Sequence, residues 1–390
     1  MSQHSEQAKH FPWIYMLLMS SVTFMAILSE LVPSGVLPQM GEGLNVPTSE
    51  VGLLVTAYGV ASAIGTIPLI TWTMEMNRKK LLIIVLIVFG ISNMIIVFSS
   101  NFYLTAFARI LGGASAGIVW PMMTAYAIRL VPKGYNGRAI AVVMGGSTVG
   151  LGVGLPIMTT IGTTFGWRIE YGVLAGIFFL IALLVGLVLP SAEGEKRTKE
   201  TSPFQVAKNK SVLIVLVVTF FTMMAHYGLY TYLSPLVESF NLSGGVNIAT
   251  LIFGIGTILS VILTAKVIDK HLGGLNLFIL STGLAAMILF AVFKGTFIIA
   301  HISFFLWGVA FGPLVTLFQD AVARQVDKAK DIATSLQSSI FNTGIVVGSA
   351  VGSALLSNFS VYYIVILSLV LLIISIVVSA LSKKTFFTSH

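Results

Sequence analysis

The sequence has no cysteine, so disulfides, thiol nucleophiles and cysteine-held metals are all excluded. Charge is nearly as scarce: Asp, Glu, Lys and Arg make up only 9% of 390 residues, and acids number 14. The six histidines are scattered, with no H-E-x-x-H or comparable ligand spacing, so no metal or other cofactor is expected. No glycine-rich loop follows a strand pattern, which excludes a Walker motif and direct use of ATP. No nucleophile stands beside a base in the loops, and an enzyme is not expected. What abounds is hydrocarbon. Hydrophobic residues reach 56% and the mean hydropathy is +0.97, the composition of a polytopic α-helical membrane protein.

Runs of about 20 or more apolar residues predict twelve membrane helices. They fall near 14–37, 50–71, 80–99, 103–129, 136–161, 168–190, 212–237, 247–268, 275–294, 297–324, 332–357 and 361–382. The chain then reads as a 1–13 tail, a six-helix bundle over 14–190, a charged linker over 191–211, a second bundle over 212–382 and a 383–390 tail. The first apolar run is too long for a signal-peptide core and is expected to be retained. The net charge of +8 points to topology rather than to nucleic acid. With the N-terminus inside, 19 of the 22 basic residues lie in inner segments, and only Arg168 and Lys294 in outer loops. Lys9, Lys199 and the trio Arg78, Lys79 and Lys80 belong to the inner set. Both termini are therefore expected in the cytoplasm, in a cytoplasmic (inner) membrane.

The halves echo each other. Gly146, Gly150 and Gly154 recur as Gly344, Gly348 and Gly352, 198 positions later; Gly113, Gly117, Arg129 and Lys133 recur as Gly308, Gly312, Arg324 and Lys328, 195 later. Such shared offsets predict a parallel repeat about an axis along the membrane normal, with halves that rock around a central site.

Few groups inside the helices carry chemistry. Glu30, in SVTFMAILSELVPSGVLP, shares a helical face with Thr23 and Ser34. An acid at membrane depth marks an ion or substrate path by default, the plain alternative being an acid that reaches the interface from near a helix end. Arg109, in LTAFARILGGASAGIVWP, lies at a similar depth, and two opposite buried charges at one level suggest a pair, whether functional or a structural bridge. Trp120 shares the arginine's face. In AHYGLYTYLSP, His226, Tyr227 and Tyr230 crowd one side of a helix and offer rings and hydrogen bonds to a cargo, or merely join helices. His226 is also a secondary candidate to relay protons. Tyr58, Asn342 and Trp307 are further candidates.

Twelve helices in two halves, a basic central loop and R-x-x-x-G-x-x-x-G in the fourth helix resemble the major facilitator superfamily. GSTVGLGVGLP followed by GWR at Gly166–Arg168 resembles the antiporter motif of its drug:proton antiporters. SELVPSGVLPQ, LLVTAYG, NRKKLL, AHYGLYTYLSP and FNTGIVVG, in that order, are similar to the sugar efflux transporter and arabinose efflux permease group. The resemblance implies proton-driven export by alternating access through a cavity lined by helices one, four, seven and ten. It implies that Glu30 and Arg109 couple protons and that His226 and Tyr227 contact cargo. The superfamily's loop between helices two and three usually carries an aspartate; here that position is Met74, in Met74-Glu75-Met76-Asn77-Arg78-Lys79-Lys80. Either Glu75 substitutes for it, or the loop gates with Arg78 and Lys79 alone. The expected partners are protons, the lipid bilayer and one small molecule, with a monomeric chain and no nucleic acid. A sugar-like cargo is favoured because Glu30 is the only acid far from a helix end, whereas a multidrug pump for cations would show several. An intramembrane enzyme or a non-transporting sensor is the remote alternative.

Overall fold

The computed structural model describes residues 11–198, 201–239, 245–293 and 297–386. Lys9, Lys199 and Lys294 lie outside them, as does the side chain of Ser34. Among the described residues all regular structure is helical, with eleven helices long and apolar enough to cross a membrane. We label the spanning helices α1 (Trp13–Gly35), α2 (Thr48–Thr73), α3 (Arg78–Phe98), α4 (Phe102–Leu130), α5 (Asn136–Phe165) and α6 (Trp167–Val188). A 48-residue helix, Gly245–Val292, breaks at His271, where the backbone leaves helical geometry. At 1.5 Å per residue it is ~72 Å long, more than two bilayer cores, so it is two crossings. With α7 (Lys210–Tyr230), these become α8 (245–270) and α9 (272–292). Then follow α10 (Ile298–Ala323), α11 (Lys330–Asn358) and α12 (Val361–Leu381). Twelve crossings result.

Local chemistry sets the ends. Asn77, Asn101 and Asn209 cap α3, α4 and α7 by accepting from main-chain N–H groups two or three residues on. Several predicted runs are interrupted. α1 stops at Gly35 and resumes as a short helix, Leu37–Leu44; α7 stops at Tyr230 and resumes as Leu233–Ser239; α10 breaks at Gly312–Pro313. Apolarity is continuous across these breaks, so hydropathy alone passes over them.

The chain divides into two units. One comprises Met1–Pro203 with Lys328–Ser335, the other Phe204–Asp327 with Leu336–His390. Within each unit the same close packing recurs. Gly146, Gly150 and Gly154 of α5 lie against Ser20, Thr23, Phe24 and Leu28 of α1. Their counterparts Gly344, Gly348 and Gly352 lie against Met223, Met224, Gly228 and Tyr232 at α7. Gly113 and Gly117 of α4 pack on Tyr58 and Ser62 of α2, and Gly308 and Gly312 of α10 on Phe253 and Thr257 of α8. The repeat seen as offsets in sequence is therefore a repeat of helix contacts. At Gly150–Gly154 the helix widens into a π segment, a local unwinding that often accompanies function.

A side chain at 146 would collide with the Ser20 carbonyl, whereas nothing stands within 4 Å of one at Gly176. Gly146→Ala is expected to destabilise the protein by about 1–3 kcal/mol. Gly176→Ala, mid-helix in α6, is expected to be neutral or stabilising by up to ~1 kcal/mol. Thermal unfolding in detergent, followed by circular dichroism, checks the contrast in sign.

Candidate functional site

The first cluster follows from one proline. Pro33 lies inside α1 and has no N–H, so the carbonyl of Ser29, four residues earlier, loses its helical donor. Arg109 of α4 supplies one. Its Nη1 donates to the Ser29 carbonyl, its Nη2 to the Glu30 carbonyl at 2.7 Å, and its Nε to the Leu54 carbonyl of α2 at 3.1 Å. The guanidinium also lies over the Tyr58 ring, 4.3 Å from its centroid. Arg109 and Tyr58 are fully buried; Glu30 is half-buried. Glu30 and Arg109 are thus brought together, but through the glutamate's main chain. No carboxylate–guanidinium ion pair forms between them, because the donors are spent on carbonyls. Thr23, expected beside Glu30, instead donates to the Val143 carbonyl and joins α1 to α5.

The second cluster lies wholly in the second unit. His226 is buried and accepts a 2.7 Å hydrogen bond at Nδ1 from the indole N–H of Trp307. An indole N–H only donates, so the ring nitrogen facing it carries a lone pair and the imidazole is neutral. Protonation there would set N–H against N–H, which counts against His226 as a proton relay in this arrangement. Around this pair stand Tyr230, Tyr227 and Phe311. Tyr230 stacks on Phe311 at 5.7 Å and meets Trp307 at 6.0 Å and Phe253 at 5.5 Å. Tyr227 meets Phe311 at 5.4 Å and Phe341 at 6.2 Å. Tyr230 stays 37% exposed, so the cluster presents a ring and a hydroxyl rather than closing on itself. Phe253, Phe311 and Phe341 were missed from sequence because phenylalanine is ordinary in a membrane helix. The side chains of Trp120 and Asn342 are half-buried and, among the described residues, join neither cluster.

The third cluster gathers at the loop between α2 and α3, around Met74 and Arg78. Arg78, fully buried, donates through Nη2 to Asp331 at 2.7 Å and to the Met74 carbonyl. Arg129 donates to the same Asp331 oxygen and to Glu195, both at 2.9 Å. Asp331 belongs to the first turn of α11, part of the 328–335 segment of the first unit. Neither sequence expectation for this loop describes it fully. Arg78 is not alone, and Glu75, exposed, instead accepts from the Arg197 main-chain N–H at 2.9 Å. Lys79 is half-buried and its main-chain N–H is capped by Asn77. The linker is strapped down here rather than free. Arg78 N–H donates to the Ala192 carbonyl, Glu195 N–H to the Met74 carbonyl and Tyr126 to the Pro190 carbonyl. Gly194 passes so close that a side chain would strike the main chain of Met74 and Glu75.

Comparison with known proteins agrees with this architecture. The sequence model of the Major Facilitator Superfamily matches residues 19–332. The chain belongs to this superfamily. It is a multi-pass membrane transporter by family, not an enzyme. Among curated relatives, it is 24% identical over 338 residues to the "Probable sugar efflux transporter" of Helicobacter pylori (strain ATCC 700392 / 26695), covering 86% of each chain. The protein of the same description from Helicobacter pylori (strain HPAG1) matches equally, at 24% over 338 residues and 86% of each. Among solved structures, the proton:xylose symporter XylE aligns with TM-score 0.73 at 15% identity over 94% of each chain. The E. coli fucose:proton symporter FucP aligns with TM-score 0.76 at 11% identity, over 94% of this chain and 98% of that one. At such identities these two structures speak for the major facilitator fold alone.

Two outcomes test the charge cluster. Asp331→Ala leaves Arg78 buried without its acid and is expected to cost about 3–5 kcal/mol. Glu75→Ala, at an exposed position, should stay within ~0.5 kcal/mol; thermal unfolding separates the two. Glu195 titrates above the usual carboxylate range, chiefly because it is buried and then because Asp331 is near, with Arg129 opposing. The strapped state therefore favours the protonated acid, so the strap holds best at low pH and loosens as pH rises through that raised value. Hydrogen-exchange protection of 191–198, corrected for intrinsic rates, should fall with rising pH, and Glu195→Gln should flatten the dependence.

Proposed function

We propose that this superfamily member exports small organic molecules, sugars foremost, across the cytoplasmic membrane in exchange for protons, by alternating access. One observation carries the reading: Arg109 spends its donors on main-chain carbonyls, leaving the half-buried Glu30 carboxyl without an ion pair. An acid so placed is costly as an anion in a membrane helix, and a proton from solution removes that cost. Protonation then biases the exchange between outward- and inward-facing states, while cargo bound in the second unit competes or cooperates with it. His226, Tyr227, Tyr230 and Trp307 supply that cargo site, through a neutral imidazole donor, phenol hydroxyls and flat ring faces that suit a sugar's apolar side. The curated relatives are described as probable sugar efflux transporters, and their likeness spans 86% of both chains. Both termini on the cytoplasmic side and a monomeric chain belong to the same reading.

A second reading has its own observation. Phe253, Phe311 and Phe341 make the ring cluster largely hydrocarbon, which fits flat hydrophobic drugs as well as sugars. Proteoliposomes with an imposed pH gradient, offered a panel of sugars and drugs, decide between them.

In the same vesicles uphill flux should collapse with a protonophore and ignore ATP. Glu30→Gln, a mimic of the protonated acid, should keep substrate exchange but lose concentrative export. Wild-type concentrative export by this variant would remove Glu30 as the carrier. Tyr230→Ala should weaken substrate binding up to roughly tenfold, the worth of an aromatic contact of about 1.4 kcal/mol.

A further inference from the structure

One buried acid has no place in the scheme above. Glu170, in the first turn of α6, is fully buried, and neither carboxyl oxygen has a hydrogen-bond partner. Opposite it in α5 stands Gly162, where any side chain would run into the carboxyl group and into Val36. The glycine leaves the room that the acid fills.

Among the described residues no cation reaches it. On its own helix, Arg168 is directed elsewhere, donating to the Ser99 carbonyl at 3.1 Å and lying over Trp167. The facing part of α5, Leu155–Phe165, contains no titratable residue, and neither does α3 beyond its basic start at 78–80. The short Leu37–Leu44 helix offers only the exposed Glu42; α1 offers Glu30, and α4 offers Arg109. A carboxylate buried with neither donors nor a counter-ion is untenable, so Glu170 holds a proton or recruits water.

We propose that Glu170 is a second proton-binding acid of the first unit, holding its proton in the room left by Gly162. This site is independent of the reading of Glu30 as the coupling acid.

Infrared difference spectroscopy of the purified full-length protein in lipid tests this without any cargo. At neutral pH, Glu170→Gln should remove a protonated-carboxyl C=O band present in the wild type. Should the Gln variant fail to fold, Glu170→Asp must shift the same band. A wild-type spectrum with no such band, or a band that neither variant moves, overturns the site. Failure of the Glu30 reading shows separately, as concentrative transport retained by Glu30→Gln.

Discussion

Hydrocarbon offers main-chain groups no solvent, so each N–H and C=O left open inside a membrane helix must find a partner in the protein. Pro33 opens one such position, and the fold of the first unit is built around its closure. The guanidinium of Arg109 is the right tool: it is planar, it stays charged, and its several N–H groups reach different carbonyls at once. By binding Ser29 and Glu30 of α1 and Leu54 of α2, it ties three helices at one level. The same arrangement sets the acid's surroundings: the arginine's donors go to main chain, so the Glu30 carboxyl lies in the field of the guanidinium without a direct ion pair to it.

Sequence made the helices legible, because a crossing needs about 20 apolar residues and composition records that directly. The glycine offsets were legible for a related reason. Close helix approach excludes side chains, so the ladders at 146–154 and 344–352 had to face helices, and they face α1 and α7. Breaks were not legible from hydropathy. Val36 and Gly312 interrupt helices beside Pro33, Pro38 and Pro313, a local signal that apolarity alone passes over, and Thr231 interrupts one within an apolar run. Partner choice was hidden as well. Depth arithmetic put Glu30 and Arg109 side by side, yet could not say that the bond would run to a carbonyl.

Trp307 and His226 show the same boundary between pattern and partner. Each was a candidate on its own helix, 81 positions apart, and only the fold joins them by one hydrogen bond. Once joined, their chemistry is narrower than either suggested alone. The tryptophan's single donor fixes the imidazole as neutral, which suits a fixed hydrogen-bonding wall for cargo better than a titrating carrier. Glu170 is the converse case. It stands in the first turn of a helix, where an acid is ordinarily favourable. Burial and the Gly162 groove make it exceptional, and neither is written in local sequence.

The loop between α2 and α3 shows how one missing charge redistributes. Arg78 is buried and Arg129 half-buried, and without an acid they would repel each other and lack counter-ions; Met74 offers no carboxylate, so one must come from elsewhere. The replacement is distant in sequence: Asp331 stands 253 residues from Arg78, and Glu195 comes from the linker. Met74 still participates, since its carbonyl accepts from both Arg78 and the Glu195 N–H. A side-chain charge has been exchanged for a main-chain acceptor plus a borrowed carboxylate. This exchange makes the linker part of the fold. Ala192, Glu193 and Glu195 each take a bond from the arginines or give one to the loop, so cutting or lengthening the strap would disturb the Arg78–Asp331–Arg129 cluster itself. The linker that composition reads as a spacer between halves is, in the first unit, the strap that holds its charged end together.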